Sequence, residues 1–123
     1  MGNRAAIGFR QNQFVENTLF LYIHWAPTDD LTLLVAEAVK HASNRWDDPS
    51  YATRMAITHI IGNEYDSEFG YGININFVPD LDIPIIPVIY WAERFVRMHD
   101  RDLRYIANSQ DSFEGILRTA NML

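Results

Sequence analysis

The sequence predicts an α+β fold, in which a mostly antiparallel sheet has two central helices and a C-terminal helix packed on one of its faces. Two segments with strand character open the chain, two helical segments follow, and strand patterns return before a last helix. Because strands and helices are grouped along the chain rather than alternating regularly, this order favours the α+β class. The length of 123 residues predicts a single domain that spans residues 1–123.

The first two strands are predicted from the periodicity of apolar residues. Residues 3–10 place apolar side chains at every second position, which is the period of a strand. Residues 18–25 are almost continuously apolar, which is typical of a central strand that is buried on both faces. The polar segment between them can turn the chain, so we expect the two strands to pair as a hairpin.

A first helix is expected directly after these strands. Pro27 ends the second strand because proline has no N–H to donate to a ladder. Thr28 or Asp29 can cap a helix that runs to about Ser43. The apolar residues of this segment recur at the spacing of one buried helical face, at Leu31, Leu34, Val35, Ala38 and Ala42.

A second helix is predicted to begin with Asp48 as its cap and Pro49 in its first turn, and to end at residues 62–63, Gly-Asn. Most of its side chains are apolar, so we expect this helix to be well buried. Its polar side chains form one narrow stripe, at Ser50, Arg54 and Thr58.

Residues 71–77 carry the clearest strand pattern, in which apolar side chains alternate with Gly and Asn. We expect the apolar face of this strand to lie in the core, so that Ile75 is a core residue. The segment 79–82 is expected to form a turn.

Residues 83–91 have the composition of a strand, but Pro84 and Pro87 restrict its first half to an edge of the sheet or to irregular structure. Its second half, residues 88–91, is expected to pair with residues 71–77.

The segment 93–107 allows two interpretations, a hairpin with a charged tip at residues 99–102 or a helix that is broken there, and we prefer the hairpin. The run from Asp111 to Glu114 resembles a capping box and predicts a last helix. The buried face of this helix is expected to comprise Phe113, Ile116, Leu117 and Ala120.

The composition excludes several classes of site and partner. The chain has no cysteine, which rules out disulfides, thiolate metal sites and a thiol nucleophile, and which suits a reducing cytoplasm. A formal net charge of −6 disfavours direct binding to nucleic acid, because phosphate contacts require clustered Lys and Arg. No apolar run reaches the roughly 18–20 residues that a membrane helix needs, so no membrane partner is expected.

The four histidines show no recognised metal motif, neither H-x-H nor H-E-x-x-H. A metal site assembled in space from His24, His59 and a carboxylate is an alternative, but we expect neither a metal nor a cofactor. For His59 the simpler interpretation is a silent side chain beside small apolar residues, and for His41 a cation at the C-terminal end of a helix.

We predict a ligand-binding site at His24, Trp25, Tyr51 and Arg54. His24 and Trp25 lie where the second strand meets a polar corner, and they combine a group that titrates near neutrality with a stacking surface. The alternative is that both close the core. Arg54 on an apolar helix either contacts an anionic ligand or pairs with Asp47, Asp48 or a carboxylate of the acidic loop that follows the helix.

Five short motifs carry a resemblance to a known family. They are Asn-Arg-Ala at 3–5, Tyr-Ile-His-Trp at 22–25, Arg54, Ile-Ile-Gly-Asn at 60–63 and Gly-Tyr-Gly at 70–72. The chain thereby resembles small accessory proteins of tailed bacteriophages and prophages over about its first two-thirds. Those proteins usually have two glycines after His-Trp, where this chain has Ala-Pro-Thr, so we expect its corner to be shaped differently.

The resemblance implies a phage accessory protein that acts in the cytoplasm of the bacterial host. Because small non-virion phage proteins often antagonise host defence, the expected function is non-enzymatic. Such a protein would sequester a nucleotide-type signal or bind a defence protein, and self-association into a homo-oligomer is a further expectation. The alternatives are a small hydrolase or nuclease that uses His24 or His59 with a carboxylate, and a structural or assembly factor of the phage particle.

Overall fold

A computed structural model describes residues 3–28, 30–78 and 82–123. Within these residues the chain forms six strands, three α-helices and two short 3₁₀ turns. The strands are β1 (Asn3–Arg10), β2 (Leu19–Ala26), β3 (Tyr71–Ile75), β4 (Ile85–Tyr90), β5 (Phe95–Asp100) and β6 (Asp111–Ser112). The helices are α1 (Leu31–His41), α2 (Pro49–Ile61) and α3 (Phe113–Thr119), and the 3₁₀ turns are Ser43–Arg45 and Gly62–Glu64.

The six strands form one sheet in the order β3-β2-β1-β4-β5-β6. The pairs β3–β2, β2–β1, β4–β5 and β5–β6 are antiparallel, whereas β1 and β4 run parallel at the centre. The predicted α+β class is therefore confirmed, as is the hairpin formed by the first two strands.

The helices cover one face of this sheet. Their buried residues share a single apolar cluster with side chains of β1, β2, β4 and β5. A second, smaller cluster lies on the opposite face, which we call the helix-free face, around Phe20, Ile86, Val88 and Tyr90. On the helix side, α1 buries Leu34, Val35, Ala36, Ala38 and Val39.

Each helix begins with a side-chain cap, but only α2 has the cap that its sequence predicts, since Asp30 and not the predicted Thr28 caps α1. The Asp30 carboxylate caps α1 and accepts from the backbone N–H of the third residue of the helix at 3.2 Å, whereas Asp29 lies outside the described residues. Asp48 caps α2 at 3.5 Å. In α3 the cap is Ser112, which accepts from Gly115 N at 2.9 Å, so the cap lies one residue later than the predicted capping box places it.

The prediction that α2 is well buried was wrong. Of its side chains only Ala52 and Ala56 are fully buried, and Tyr51 is exposed. The physical reason is that α2 packs mainly on α1 rather than on the sheet, so only one side of its apolar surface is covered. Its polar stripe is exposed as expected.

The placement of Ile75 in the core was also wrong. β3 is the last strand at one edge of the sheet, and Ile73, Ile75 and Phe77 keep 58%, 54% and 54% of their surface exposed. The alternation correctly identifies which side chains share a face. It does not reveal whether another layer covers that face. Tyr71 packs against the helix-side cluster, whereas Ile73 and Ile75 lie beyond it.

β4 lies at the centre of the sheet rather than beside residues 71–77, so the predicted pairing was wrong. Residues 88–90 pair in parallel with β1, and the whole strand pairs with β5. Pro87 is tolerated because residues 85–87 pair with β5 alone, so proline lies where one side of the strand has no ladder to β1. Of the predicted turn 79–82, residues 79–81 lie outside the described residues.

The segment 93–107 forms a strand and a turn, in agreement with the preferred hairpin rather than a broken helix. β5 ends at Asp100, and the returning chain pairs with it through an isolated bridge between His99 and Tyr105. Among the described residues no helix is long and apolar enough to cross a membrane.

We expect Leu34→Ala to lower the free energy of unfolding by about 2–4 kcal/mol, because it leaves a cavity in the core under α1. Ile75→Ala is the matched control, since it removes an aliphatic side chain from an exposed edge, and we expect a loss below about 0.5–1 kcal/mol. Chemical denaturation measures both values. Equal losses at the two sites would contradict the assignment of β3 to an uncovered edge.

Candidate functional site

A groove lies at the end of β2, where the loop after α2 returns to the sheet. It has a volume of about 330 Å³, which is at the lower end of the range of about 300–1,000 Å³ typical of ligand pockets. The backbone N–H of His24 donates to the Gly70 carbonyl at 2.9 Å and holds the loop against the strand. The residues that line this aromatic groove are Tyr22, His24, Trp25, Glu68, Phe69, Gly70 and Tyr71.

Trp25 is an exposed wall of the groove and not a core residue. Its side chain keeps 59% of its surface accessible. Its ring stands edge-on to His24, with centroids 4.4 Å apart and an angle of 85° between the planes. Gly70 has φ +100°, which favours glycine, and a Cβ there would lie 3.8 Å from the Trp25 ring. The core alternative for Trp25 was therefore wrong.

His24 supplies the polar part of the groove. Its Nδ1 lies 2.9 Å from the Tyr22 hydroxyl, so the two side chains share a hydrogen bond. Tyr22 and His24 are two residues apart on one strand and hence point to the same side of the sheet. This hydrogen bond and the edge-on contact with Trp25 fix the orientation of the imidazole ring.

The rim of the groove is negatively charged. Glu68 lines the groove, and Glu64 and Asp66 are exposed in the same loop. Burial raises the pKa of the Tyr71 hydroxyl, and the nearby Glu64 carboxylate raises it further. The groove therefore suits an uncharged or cationic group better than a phosphate.

Tyr51 and Arg54 lie on α2, and neither is among the residues that line the aromatic groove. Tyr51 is half exposed and lies beneath the Arg45 guanidinium, whose Cζ is 4.6 Å from the ring centroid. The ion-pair alternative for Arg54 assumed a buried helix, but the side chain is exposed. Its predicted partner Asp47 instead pairs with Arg94 at 2.6 Å.

The other histidines form a stacked pair between α1 and α2. His41 and His59 have ring centroids 3.5 Å apart and nearly parallel planes, at 12°. The Nε2 atom of His59 lies 3.9 Å from a Glu37 carboxylate oxygen. Parallel rings do not direct their nitrogen lone pairs at one ion, and the described residues contain no group of three or more side chains suited to hold a metal. His24 lies apart, in the aromatic groove.

Sequence reasoning identified two of the groove residues and missed the others. Tyr22 had a usable signal, because it precedes His24 by two positions on a predicted strand. Gly70 and Tyr71 belonged to a motif of the family resemblance but were not connected with His24, and Phe69 had no signal, since this loop reaches the groove only by its return to β2.

Comparison of the chain with protein-family models, with curated proteins and with solved structures found no match. The function of this chain is therefore inferred from its own residues. The resemblance to phage accessory proteins remains a prediction from short motifs.

We expect Trp25→Ala to lower the free energy of unfolding by less than about 1 kcal/mol, because an exposed side chain contributes little to the core. Trp91→Ala is the control, since Trp91 is only 1% exposed, and its loss is expected to cost about 3–5 kcal/mol. Chemical denaturation of both variants measures the difference. A comparable loss for Trp25→Ala would show that Trp25 is a core residue.

Stability is expected to fall in mild acid because of His59. Burial and the neighbouring His41 lower the pKa of His59 from its ordinary value of 6.5, and Glu37 opposes this only in part. The unfolded chain thus binds the proton more readily than the folded one. The stabilising contribution is present above pH 6.5 and is lost as the pH falls below it.

We therefore expect the free energy of unfolding to drop between about pH 7.5 and about pH 5.5, and to drop less in His59→Gln. Burial also lowers the pKa of His99, which acts in the same direction and remains in both proteins. Denaturant titrations at the two pH values provide the measurement. An unchanged drop in His59→Gln would show that the stacked pair is not responsible.

Proposed function

We propose that this chain is a non-enzymatic binding protein of phage origin that counters bacterial host defence by binding a defence protein. The phage origin and the defence partner follow from the resemblance in short motifs. What supports a protein partner is one structural observation, a row of exposed apolar side chains along the open edge of the sheet.

This edge patch consists of five side chains that each keep more than half of their surface exposed. Ile73 and Ile75 lie on the same face of β3, and Trp25 with Phe69 lines the groove at the start of that strand. Large apolar side chains exposed together mark interaction sites in soluble proteins when they form one patch. The members of the edge patch are Trp25, Phe69, Ile73, Ile75 and Phe77.

The backbone of β3 is also available for pairing. Gly70 O accepts from His24 N at 2.9 Å, and Asn76 N donates to Thr18 O at 2.8 Å. Residues of an antiparallel strand alternate in the direction of their hydrogen bonds, so the intervening Tyr71, Ile73 and Ile75 direct their N–H and C=O groups away from β2. An extended segment of a partner can add to such an edge as a further strand.

The charges around this edge indicate the chemistry of the partner segment. From Phe69 to Val78 the chain has no charged residue, and so none of the lysines that usually protect an open edge. The preceding loop carries Glu64, Asp66 and Glu68, which form no ion pair within the part of the chain that the structure describes. The fitting partner is an extended apolar segment flanked by Lys or Arg, with an aromatic or cationic side chain for the groove.

A nucleotide-type signal is the second candidate ligand. The exposed face of Trp25 favours it, because a stacked base contributes about 1–3 kcal/mol. The Glu68 carboxylate in the same groove disfavours the phosphate part. Native mass spectrometry on protein purified from infected cells tests this candidate. A bound nucleotide that is lost in Trp25→Ala supports it, and an unliganded mass contradicts it.

The test of the protein partner compares two variants with a matched control. Ile73→Lys places a charge on the exposed face of the edge, and Trp25→Ala removes the wall of the groove. Asn74→Lys adds the same charge to the opposite face of the strand, at a residue that pairs with Phe20 of β2. We expect the wild-type chain and Asn74→Lys to restore plaque formation in bacteria that carry a defence system, and the other two variants to abolish it.

The readout is the efficiency of plating on a panel of hosts that each carry one defence system, beside the melting temperature of every variant. Protection by folded Trp25→Ala and Ile73→Lys at the wild-type level would contradict the proposal, and so would failure of the wild-type chain on every host. Light scattering adds a further outcome. A dimer that Ile73→Lys dissociates without loss of protection would assign the edge to self-association instead.

A further inference from the structure

A second cavity lies on the helix-free face, at the other end of β2. It has a volume of about 280 Å³ and is lined by both polar and apolar side chains. Thr18 borders this cavity and His24 borders the aromatic groove, and six residues of a strand span about 20 Å, so the two are separate sites. The polar side chains of the cavity belong to Arg10, Glu16, Asn17, Thr18, Asn76 and His99.

Arg10 is a part-buried cation in this wall, and its hydrogen-bond partners are neutral groups. Its Nη2 atom donates to the carbonyl oxygens of Val15 and Gln13, and its Nη1 atom donates to the Tyr90 hydroxyl at 3.5 Å. Its Cζ lies 5.1 Å from the centroid of the Tyr90 ring. The Nε atom is buried without a hydrogen-bond partner, and within the described residues no carboxylate forms an ion pair with Arg10.

Such an arrangement is costly in the absence of a counter-charge. Buried polar groups are nearly always hydrogen-bonded, and a guanidinium withdrawn from water is stabilised most by an oxyanion that accepts two hydrogen bonds. Arg10 is thus a cation whose Nε has no hydrogen-bond partner and whose charge is not compensated by an ion pair within the described residues.

His99 cannot act as the counter-charge of Arg10. Its Nδ1 lies 3.1 Å from the Leu103 carbonyl oxygen, which can only accept, so Nδ1 carries the proton. The Tyr90 hydroxyl therefore donates to Nε2 at 3.0 Å, and its oxygen remains an acceptor for Arg10. Burial lowers the pKa of His99, and the charges of Arg10 and Arg97 lower it further, whereas the hydrogen bond to the Leu103 carbonyl and the Asp100 carboxylate oppose this shift.

A second guanidinium lies near the Tyr90 ring. The Arg97 Cζ lies 5.2 Å from the Tyr90 ring centroid, and 4.6 Å and 4.9 Å from those of Phe95 and Tyr105. Its Nε donates to Gln110, a neutral partner, at 3.0 Å. The positive charge of this region therefore contrasts with the acidic rim of the aromatic groove.

We propose that this cavity binds a small phosphate-type oxyanion, with Arg10 as its charged donor. One neutral donor lines the same cavity, the amide of Asn17, whose carbonyl oxygen accepts from Asn76 Nδ2 at 3.0 Å and whose NH₂ group is left to donate. The Thr18 hydroxyl donates to the Glu16 carbonyl oxygen at 3.5 Å, so it would have to leave this weak hydrogen bond to serve as a second donor. The Glu16 carboxylate at the exposed rim repels an anion and therefore lowers the affinity of the cavity for it. Orthophosphate and the phosphate group of a nucleotide share this chemistry.

The test is calorimetric titration with orthophosphate, adenosine monophosphate and adenosine as separate probes. We expect orthophosphate to bind and Arg10→Gln to weaken it about 10- to 100-fold, as loss of a charge-assisted hydrogen bond does. Glu16→Gln should tighten binding about 3- to 10-fold, because a like charge is removed. Arg4→Gln is the control, since Arg4 lies at the other end of β1 and pairs with Asp82 at 3.6 Å.

The three probes separate the two sources of the oxyanion. Tighter binding of the monophosphate than of orthophosphate, lost in Arg10→Gln, supports a nucleotide. Equal binding of the two, with no binding of adenosine, supports free phosphate. No binding of either phosphate to the folded wild-type chain overturns the proposal, and so does binding that Arg10→Gln leaves unchanged.

Arg10 also holds the carbonyls of the loop before β2, so melting temperatures accompany the titrations. Should Arg10→Gln fail to fold, Glu16→Gln decides, because a tighter complex requires an anion beside this carboxylate and unchanged affinity overturns the proposal. The inference is independent of the proposed function. Trp25→Ala, which removes the wall of the aromatic groove, is expected to bind orthophosphate with unchanged affinity.

Discussion

The packing of one indole ring joins the two layers of this fold. Trp91 follows the last residue of β4 and is almost completely buried. Its ring stacks on Phe9 of β1 at 6.3 Å, meets Phe113 of α3 edge-on at 5.7 Å, and donates its Nε1–H to Thr53 of α2 at 2.9 Å. Because this side chain contacts one strand and two helices, it couples the positions of α2 and α3 on the sheet. The positions of the helices in turn determine which parts of the sheet are covered.

The order of elements, the first hairpin and the buried face of α1 could be predicted because local periodicity and capping residues determine them. What could not be predicted depends on contacts between distant parts of the chain. The exposure of Ile75 and of most of α2 depends on which surfaces the helices reach, and no periodicity encodes that. The central position of β4 depends on its parallel pairing with β1, which no local pattern predicts. Pro87 suggested an edge strand, but it lies in the part of β4 that pairs on one side only.

The candidate site was predictable in the same limited way. His24 and Trp25 adjoin in sequence and remain together in space, whereas Tyr51 and Arg54 lie on another element and line no part of the aromatic groove. The two concave regions on the sheet differ in charge. Glu68 lines the groove at one end of β2, and the Arg10 guanidinium, with Glu16 at the rim, borders the cavity at the other. One strand therefore connects two concave regions of different electrostatic character.

The parallel pair at the centre of the sheet has a consequence for the order in which the chain folds. Residues 8–10 of β1 meet residues 88–90 of β4, so this contact closes a loop of roughly eighty residues. The antiparallel unit β1-β2-β3 can form before that closure, and so can the β4–β5 hairpin with its short turn. Contacts of high sequence separation slow folding. The rate-limiting event is then expected to be the joining of two preformed halves along one seam, with Trp91 beside that seam as the residue that completes the core.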